Sequence, residues 1–369
     1  MHTLSLCTAR DRYPVTLLTV IRNVLICTTH VPFTTGGGEA HVDGLRRALL
    51  AAGYNAEVSA LPFKWYPPLE IMRGALAWRL LDLSEANGKS VDLVIGMKFP
   101  AYLATHQRKV LWIMHQHRAA YNLWGTPFDD LSTYPEGARI RQWIIDCDNR
   151  FIPEARKVFA NSRTVAERLS RFNNIASEVL YHPPPSVDAL RVAEPGDYVF
   201  YPSRLEPQKR QELLIEAAQY LKSPVRIILA GSARDPKYYG SLVKKYGVAD
   251  RVSLRGFISE SEKIELYANS LGVCYLPFDE DYGYVTLEAM LSGKPVIVSI
   301  DGGGATELIE NGVEGLITEM EPRAIADALD HLYADRKRAR AMGARGLEKI
   351  KSLDLSWHRV VEKLIGAAE

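Results

Sequence analysis

The stretch that decides the fold is FDEDYGYVTLEAMLSGKPVIVS, residues 278–299, in which a loop, a helix and a strand follow one another directly. Residues 286–292 have helix-forming composition, Gly293 is typical of a helix end, and Pro295 excludes further helix. The apolar, β-branched run 295–299 then predicts a buried strand. This order is typical of a helix that crosses over a parallel sheet.

Two acidic residues of this stretch lie eight positions apart. Glu280 lies in the loop that enters the helix, and Glu288 lies near the positive N-terminal end of that helix. Side chains in these two places are able to face one cleft. The alternative is a solvated acid in a loop and an acid that only stabilises the helix dipole, and the stretch alone leaves both interpretations open.

The same alternation of apolar runs and helical patterns continues along the chain, which predicts βαβ units on parallel sheets. The expected strands of the first half cover residues 23–28, 56–60, 91–96, 110–115, 157–160 and 178–181. Those of the second half cover residues 198–202, 225–230, 252–255, 272–276, 295–299 and 315–317. The two series predict an α/β fold of two doubly wound, Rossmann-like domains that face each other across a cleft.

A linker separates the two series. Residues 182–198, HPPPSVDALRVAEPGDY, are rich in proline and glycine and lack periodicity. We expect an N-terminal domain over 21–185, a linker over 186–196, a C-terminal domain over 197–345 and a closing helix over 346–369. Residues 1–20 have no signal-peptide cleavage pattern, and we expect a nonfunctional extension whose deletion leaves activity and melting temperature unchanged.

The composition excludes several classes of protein. Of the 369 residues, 47% are hydrophobic, which is enough for two cores, and the formal net charge is only +1. A balance so close to zero provides no field that would recruit nucleic acid. The four cysteines are too scattered for a disulfide framework or a zinc site, which favours a reducing, cytoplasmic setting; they are Cys7, Cys27, Cys147 and Cys274.

A run of glycines follows the first expected strand. Gly36, Gly37 and Gly38 open a helix, and glycine at a helix start lets a ligand approach the backbone and its free N–H groups. A flexible turn is the alternative, because glycine motifs are weak signals in isolation. The expected apolar face of this helix consists of Val42, Leu45, Leu49 and Leu50.

Two basic residues follow the first strand of the second series. Arg204 and Lys209 lie in YPSRLEPQKR, residues 201–210, just before an amphipathic helix. The fork of an arginine and the point charge of a lysine beside a helix N-terminus suit a diphosphate. Their position at a strand end favours this function over a surface charge cluster.

The strand at 110–115 ends on His115, and His117 and Arg118 follow. A histidine at the carboxyl end of a parallel strand is available to a substrate, so we prefer His115 to His117 as a site residue. A structural histidine is the alternative.

The acidic run at 279–281 could in principle hold a divalent cation. No histidine or second acidic cluster at ligand spacing supports that site. Two cations and helix N–H groups are able to neutralise a phosphate leaving group instead, and we therefore expect no metal ion.

Taken in order, these motifs resemble glycosyltransferase family 4, whose members are retaining enzymes of the GT-B fold. Glu280 and Glu288 stand at the spacing of the E-x7-E motif of that family, and YPSRLEPQKR is similar to its G-R-L-x-x-x-K segment. VFANSRTVAERL, VLYHPPP and GGGATELIENGVEGLI resemble further family segments, so the resemblance runs from residue 22 to residue 360 or nearby. Ser203 replaces a glycine of the pattern, and Asp281-Tyr282 replaces Gly-Phe, which bears on the sugar hydroxyls that are recognised.

The resemblance implies a role for each motif. The C-terminal domain would bind a nucleotide-diphosphate sugar, and the N-terminal domain would hold the acceptor. Glu280 and His115 would be catalytic and contact the donor sugar, Arg204 and Lys209 would bind its diphosphate, and Glu288 would hold the ribose. Backbone groups of Gly283, Tyr284 and Val285 would contact the sugar and phosphates, Phe257 and Ile258 would lie by the base, and Gly37, Gly38 and Arg118 would form an acceptor or phosphate loop.

The implied reaction is transfer of the sugar to a glycan, a lipid-linked acceptor or a small molecule, without a cofactor. Two alternatives stay open, a nucleotide-sugar epimerase of the GT-B fold and a nucleotide-sugar binding module without turnover. The presence of His115 and Glu280 together with Arg204 and Glu288 favours catalysis.

The segment WYPPLEIMRGALAWRLLDL, residues 65–83, bears on the acceptor side. We expect a helix that packs its apolar stripe into the core. Peripheral contact with the inner face of a membrane is the alternative, because basic residues lie nearby. The stripe consists of Leu69, Met72, Leu76, Leu80 and Leu83, and the basic residues are Lys64, Arg73 and Arg79.

Overall fold

The computed structural model describes residues 20–34 and 36–369. The first half of this chain builds a parallel sheet with helices on both faces. Its elements are β1 (Asn23–His30), α1 (Gly37–Ala51), β2 (Asn55–Pro62), α2 (Leu69–Leu80), β3 (Glu85–Ala86), β4 (Lys89–Ser90), β5 (Leu93–Lys98), β6 (Lys109–His115), α3 (Gly137–Phe151), β7 (Lys157–Ala160), α4 (Arg163–Asn173) and β8 (Glu178–Val179). Six strands pair in the order β2-β1-β5-β6-β7-β8. The central strands are apolar at nearly every position because helices cover both faces of the sheet.

The second half builds another sheet of six parallel strands, in the order β11-β10-β9-β12-β13-β14. Its elements are β9 (Tyr198–Pro202), α5 (Gln211–Ala217), β10 (Arg226–Ala230), α6 (Pro236–Lys245), β11 (Val252–Leu254), α7 (Glu260–Asn269), β12 (Gly272–Tyr275), α8 (Tyr284–Leu291), β13 (Val296–Ser299), β14 (Gly315–Thr318), α9 (Pro322–Ala334), α10 (Arg336–Ser352) and α11 (Trp357–Gly366). Strands β10 and β11 follow on one side of β9, and β12 to β14 follow on its other side, so the strand order reverses at β9. This is the doubly wound arrangement.

The last helix, α11, packs on the first domain. Val360 and Leu364 are buried in the same apolar cluster as Leu45 of α1. Gly44 permits this contact, because a Cβ at position 44 would lie 2.2 Å from the Trp357 ring. The chain therefore crosses between the domains twice, once through the linker and once between α10 and α11.

The expected strands are confirmed, and their ends differ from the expected ends by at most two residues. The β3–β4 hairpin was not predicted, because four exposed residues carry no apolar alternation. The expected boundary between residues 345 and 346 falls inside the continuous helix α10. The expected extension at 1–20 lies outside the described residues except for Val20, and Cys7 also lies outside them. Among the described cysteines, Cys27, Cys147 and Cys274 are free and buried.

The expectation that the stripe at 69–83 packs into the core is wrong for three of its four leucines, whereas Leu83 is buried as expected. Leu69, Leu76 and Leu80 are 43%, 50% and 84% exposed. The buried side of α2 is formed by Ile71, Ala75 and Trp78 instead, so the bulky indole, and not the leucine stripe, faces the sheet. On α1 the expected apolar face is likewise shorter, because Leu50 is 43% exposed.

Candidate functional site

A cleft of about 390 Å³ lies between the carboxyl ends of the two sheets. First-domain segments that line it follow or end β1, β6, β7 and β8, and second-domain segments follow or end β9 and β12. Strand order reverses at β1 in one sheet and at β9 in the other. Doubly wound sheets bind their ligands outside such reversal points, so the cleft is the candidate site.

Residues 280–283 form part of the second-domain wall of the cleft, and they belong to the segment 278–283, which we call the acid loop. Gly283 ends this loop at φ 78° and caps the N-terminus of α8. A Cβ at Gly283 would lie 2.7 Å from the Cα of Ala305. Glycine is thus required both by the left-handed backbone and by the lack of space, and it lets the chain turn sharply from Glu280 into α8.

Glu280 lines the cleft in this loop, as expected. Its Oε2 accepts hydrogen bonds from the ammonium group of Lys209 and, at 2.7 Å, from the hydroxyl group of Tyr275. Burial raises the pKa of Glu280, but the positive charges of Lys209 and Arg118 outweigh burial and hold that pKa below its usual value. Glu280 is therefore a carboxylate, and Lys209 is its counterion.

Glu288 is not among the residues that line this cleft. Its carboxylate is turned towards α7, where Oε1 accepts a hydrogen bond from Lys263 at 3.0 Å and Oε2 accepts one from the Tyr267 hydroxyl at 2.7 Å. Glu288 is only 4% exposed, because α8 is buried between the sheet and other helices. Burial raises the pKa of Glu288, and its lysine and tyrosine partners offset that rise only in part.

The basic and glycine-rich segments meet in the cleft. Arg204 and Lys209 both line it; the Arg204 side chain is 48% exposed and lies 3.2 Å from Glu206. Gly37 and Gly38 form the first turn of α1 and line the opposite wall. A Cβ at Gly37 would come within 3.1 Å of the Tyr284 ring, so the two walls nearly touch here. Two cations and the N-terminus of a helix thus converge on one space.

His115 lies at the end of β6 and lines the cleft. Its Nδ1 is 2.8 Å from the carbonyl oxygen of Gln116, so Nδ1 carries the proton of the neutral ring and Nε2 is left as an acceptor. Burial lowers the pKa of His115, which keeps the ring neutral. His117 instead packs against Phe63 and Phe99, and burial lowers its pKa to about 4.

Arg118 does not contribute a free charge to a phosphate loop. It donates a hydrogen bond at 2.6 Å to the carbonyl oxygen of Asp279 and lies 3.6 Å from the carboxylate of Asp281. Arg168 of α4 also binds both of these aspartates. Burial alone raises the pKa of Asp281, but Arg118, Arg168 and His115 bring it down to about 2. These arginines bind the acid loop to the first domain.

Phe257 lies at a separate cavity of about 490 Å³, beside the carboxyl ends of β10 and β11. Its ring is 85% exposed. The next residue, Ile258, does not line this cavity. Tyr284 and Val285 line the main cleft as expected.

Four further polar side chains that line the cleft were not predicted. Asn161, His182 and Tyr275 lie at or just beyond strand ends, so the rule that selected His115 would have found them. His41 lies within α1 and stacks on His182 at 3.7 Å, and no signal in the sequence points to it. Within the described chain, Oδ1 of Asn161 is buried without a hydrogen-bond partner, which is expected where a ligand completes the contact.

The described residues do not assemble a set of metal ligands. Within residues 20–34 and 36–369, no group of three or more His, Cys, Asp or Glu side chains is arranged to hold a metal ion. The acidic run at 279–281 is engaged by arginine and lysine side chains instead. None of the helices in the same range is long and apolar enough to cross a bilayer.

Sequence comparison finds that the second domain is similar to glycosyltransferases. Residues 186–349 match the family model described as glycosyl transferases group 1. D-inositol 3-phosphate glycosyltransferase from Nocardia farcinica is 26% identical over 244 residues, which are 59% of this chain and 53% of that protein. The chain therefore spans about half the length of this relative.

Solved structures extend the similarity to both domains. Sucrose-phosphate synthase from Thermosynechococcus elongatus superposes with a TM-score of 0.73 at 18% identity, over 93% of this chain and 97% of the other. Anabaena HepE in complex with UDP and glucose superposes with a TM-score of 0.66 at 19% identity, over 94% of this chain and 100% of the other. The protein has the GT-B fold. The cleft described above is the interdomain cleft of this GT-B fold.

Proposed function

We propose that this protein is a retaining glycosyltransferase of family 4 that moves a sugar from a nucleotide-diphosphate sugar to a glycan, a lipid-linked acceptor or a small molecule. The observation that carries the proposal is the Lys209–Glu280 ion pair in the cleft, beside Arg204, at the carboxyl ends of both sheets. The match of residues 186–349 to the glycosyltransferase model supports it. The first domain is the acceptor side in this proposal.

The donor diphosphate binds Arg204, Lys209 and the N–H groups at the start of α1. The bond between C1 of the sugar and the phosphate oxygen breaks, and its electron pair passes to the diphosphate. The arginine and the lysine neutralise the resulting charge without a metal ion. The acceptor hydroxyl oxygen forms the new bond to C1 on the same face of the sugar, and its proton passes to the departing diphosphate oxygen.

One side chain from each domain acts on the sugar itself. Glu280 lies beside C1, where its negative charge stabilises the positive charge that develops as the bond breaks. Nε2 of His115 accepts a hydrogen bond from a sugar hydroxyl. Glu288 exchanges its contact with Lys263 for the ribose hydroxyls, and the base occupies the neighbouring cavity at Phe257, the residue before Ile258.

The exposed leucines of α2 define a docking surface on the acceptor side. Leu69, Leu76 and Leu80 lie on one face of the helix, since their spacings of seven and four residues return to the same side. Arg73 is on this face too, with a side chain that is 73% exposed. We propose that this surface contacts an anionic membrane at the cytoplasmic face, where a lipid-linked acceptor would be available.

Calorimetry with UDP-, GDP- and ADP-sugars tests the proposal. At least one donor should bind the unmodified protein and be turned over, also in the presence of EDTA. The double variant Arg204→Ala, Lys209→Ala should bind it more than about 100-fold more weakly, because two charge-assisted contacts to phosphate are lost. Arg226→Ala, which removes an exposed arginine paired with Asp197, is the control. Absence of binding for all donors, or equal binding by both proteins, would contradict the proposal.

A further inference from the structure

The two glutamates at the E-x7-E spacing, Glu280 and Glu288, are held in the same way. Each carboxylate accepts hydrogen bonds from one lysine and one tyrosine. Glu280 is bound by Lys209 and, at 2.7 Å, by Tyr275; Glu288 is bound by Lys263 at 3.0 Å and by Tyr267 at 2.7 Å. The two tyrosines are themselves eight positions apart, as the glutamates are.

We propose that Tyr275 is a positioning residue, whose hydroxyl group holds Glu280 in place and ionised when the donor diphosphate draws Lys209 away. This inference rests on the proposed function, because it assigns the diphosphate to Lys209 and the sugar to Glu280. It adds a residue to which neither the motif nor the comparisons give a role.

Tyr275 is well placed to keep its position while the ligand binds. It is the last residue of β12, whose backbone pairs with both β9 and β13. Its ring is 4% exposed and packs edge-on against Tyr201, with 5.6 Å between the ring centroids. A hydroxyl group on a ring fixed in this way has little freedom left to lose when it binds a carboxylate.

Lys209 is the more exchangeable of the two partners. Its ammonium group lies within hydrogen-bond distance of Glu280 and 3.2 Å from the Tyr275 hydroxyl. A diphosphate in the cleft offers the ammonium group more negative charge than one carboxylate does. When Lys209 turns to the diphosphate, the Tyr275 hydroxyl still donates to Glu280.

The remaining charges around Glu280 do not replace this hydrogen bond. The backbone N–H of Asp281 donates to Oε1 at 3.2 Å, but the carboxylate of Asp281 repels Glu280. Arg118 is the next cation, and it is already engaged by the acid loop. Without the Tyr275 hydroxyl, the buried carboxylate of Glu280 would therefore be easier to protonate and freer to turn.

Tyr275→Phe tests this role, because phenylalanine keeps the ring and its contact with Tyr201. We expect the Kd of the donor to change by less than about threefold and kcat to fall at least about tenfold, since a misplaced reacting group costs turnover and not binding. Loss of a hydrogen bond to the charged form raises the pKa of Glu280. The acidic limb of the kcat profile should therefore move to higher pH.

Two matched variants separate positioning from packing. Tyr267→Phe removes the equivalent hydroxyl from Glu288 and should weaken donor binding more than it lowers kcat. Tyr198→Phe removes a hydroxyl that donates to the Leu266 carbonyl at 2.9 Å and should leave both values unchanged. Equal losses in kcat and in donor affinity for Tyr275→Phe would overturn the proposal.

A titration that needs no turnover keeps the two proposals distinguishable. The carboxyl carbon of Glu280, labelled with carbon-13 and assigned with Glu280→Gln, reports its pKa with and without inorganic pyrophosphate. Tyr275→Phe should raise that pKa, and more so with pyrophosphate present. Incorporation of 3-fluorotyrosine at 275, a more acidic donor with nearly the same packing, should lower it. Failure of all sugar nucleotides to react would contradict the proposed function. If the pKa of Glu280 were unchanged in both the Tyr275→Phe protein and the 3-fluorotyrosine protein, the role of Tyr275 would be overturned.

Discussion

Arg168 in the first domain forms an ion pair with Asp281 in the second. The same guanidinium group also binds the carboxylate of Asp279 at 2.6 Å. Ser162, which caps the N-terminus of α4, donates a hydrogen bond at 2.5 Å to the carbonyl oxygen of Asp281. The loop that carries Glu280 is thus held by side chains of the opposite domain, so the position of Glu280 depends on the contact between the domains.

Arg168→Met should loosen this contact. Arg168 is 10% exposed, and its removal takes away a counterion that two partly buried carboxylates share, which costs about 3 kcal/mol in the free energy of unfolding. X-ray scattering should show a larger radius of gyration than for the unmodified protein. Arg171→Met, an exposed arginine on the same helix, is the control. The same radius and stability in Arg168→Met and the control would refute this role.

Glu280→Gln should lower turnover far more than donor binding. The amide keeps the size of the side chain but removes the negative charge that faces the developing positive charge of the sugar, and we expect kcat to fall by about 100-fold or more. Donor Kd from calorimetry should change by less than about tenfold, because the diphosphate supplies most of the binding contacts. A parallel loss of both quantities would show that Glu280 lies elsewhere than beside the sugar.

The buried histidine stack makes stability depend on pH. His182 lies between His41 and Tyr282, with ring centroids 3.7 and 4.3 Å away, and burial lowers its pKa to about 3. The unfolded chain binds this proton near pH 6.5, about the usual histidine value. Stability from His182 is therefore complete above that pH and is lost as the pH falls towards 3, by about 1.4 kcal/mol per pH unit.

His182→Phe keeps a stacked ring and removes this titration. The difference in the free energy of unfolding between pH 7 and pH 5, measured with urea, should shrink by about 2 kcal/mol relative to the unmodified protein. His331→Gln, on the exposed face of α9, should leave the difference unchanged. An identical pH dependence in His182→Phe and the unmodified protein would refute the assignment.

Gly44→Ala should weaken the packing of α11 on the first domain. The new methyl group would overlap the Trp357 ring, and such overpacking costs about 1–3 kcal/mol in the free energy of unfolding. Trp357→Ala should restore part of that loss in the double variant, because the clash disappears. Gly74→Ala, whose Cβ would meet Phe63 at an ordinary 3.6 Å, should not destabilise the protein. Fully additive losses would argue against the contact.

Replacing the exposed leucines of α2 tests the membrane surface. Unmodified protein should float with anionic lipid vesicles in the absence of detergent, and Leu76→Glu with Leu80→Glu should abolish flotation by placing negative charge on the docking face. Both side chains are at least half exposed, so the fold should tolerate the change, and circular dichroism checks this. Tyr238→Glu, an exposed aromatic residue on α6 of the other domain, is the control. If the unmodified protein does not float, or if the variant floats equally well, the proposed contact of this surface with a membrane is excluded.

The strands were predictable because their signals are local. Residues 93–97, around Ile95, are all apolar, and Gly293 followed by Pro295 separates α8 from β13 without reference to the rest of the chain. The orientation of Glu288 was not predictable in the same way. It depends on Tyr267, which belongs to another helix and is twenty-one residues distant.

The exposed face of α2 shows a second limit. Helical periodicity shows that Leu69, Leu76 and Leu80 share one side, but it does not show which side a neighbouring element covers. Trp78 on the other side fills the core instead. Similarly, Arg168 lies in the segment VFANSRTVAERL, but the sequence assigned it no role, and its contacts with the acid loop became visible only when the fold brought α4 to that loop.

The return of α11 to the first domain has a consequence for synthesis on the ribosome. Val360 and Leu364 complete the apolar cluster around Leu45, yet they are translated after the whole second domain. The amino-terminal half must therefore leave the exit tunnel with an uncovered hydrophobic groove, and the half that is made first finishes folding last. A nascent chain stalled before residue 357 should accordingly be a preferred client of chaperones.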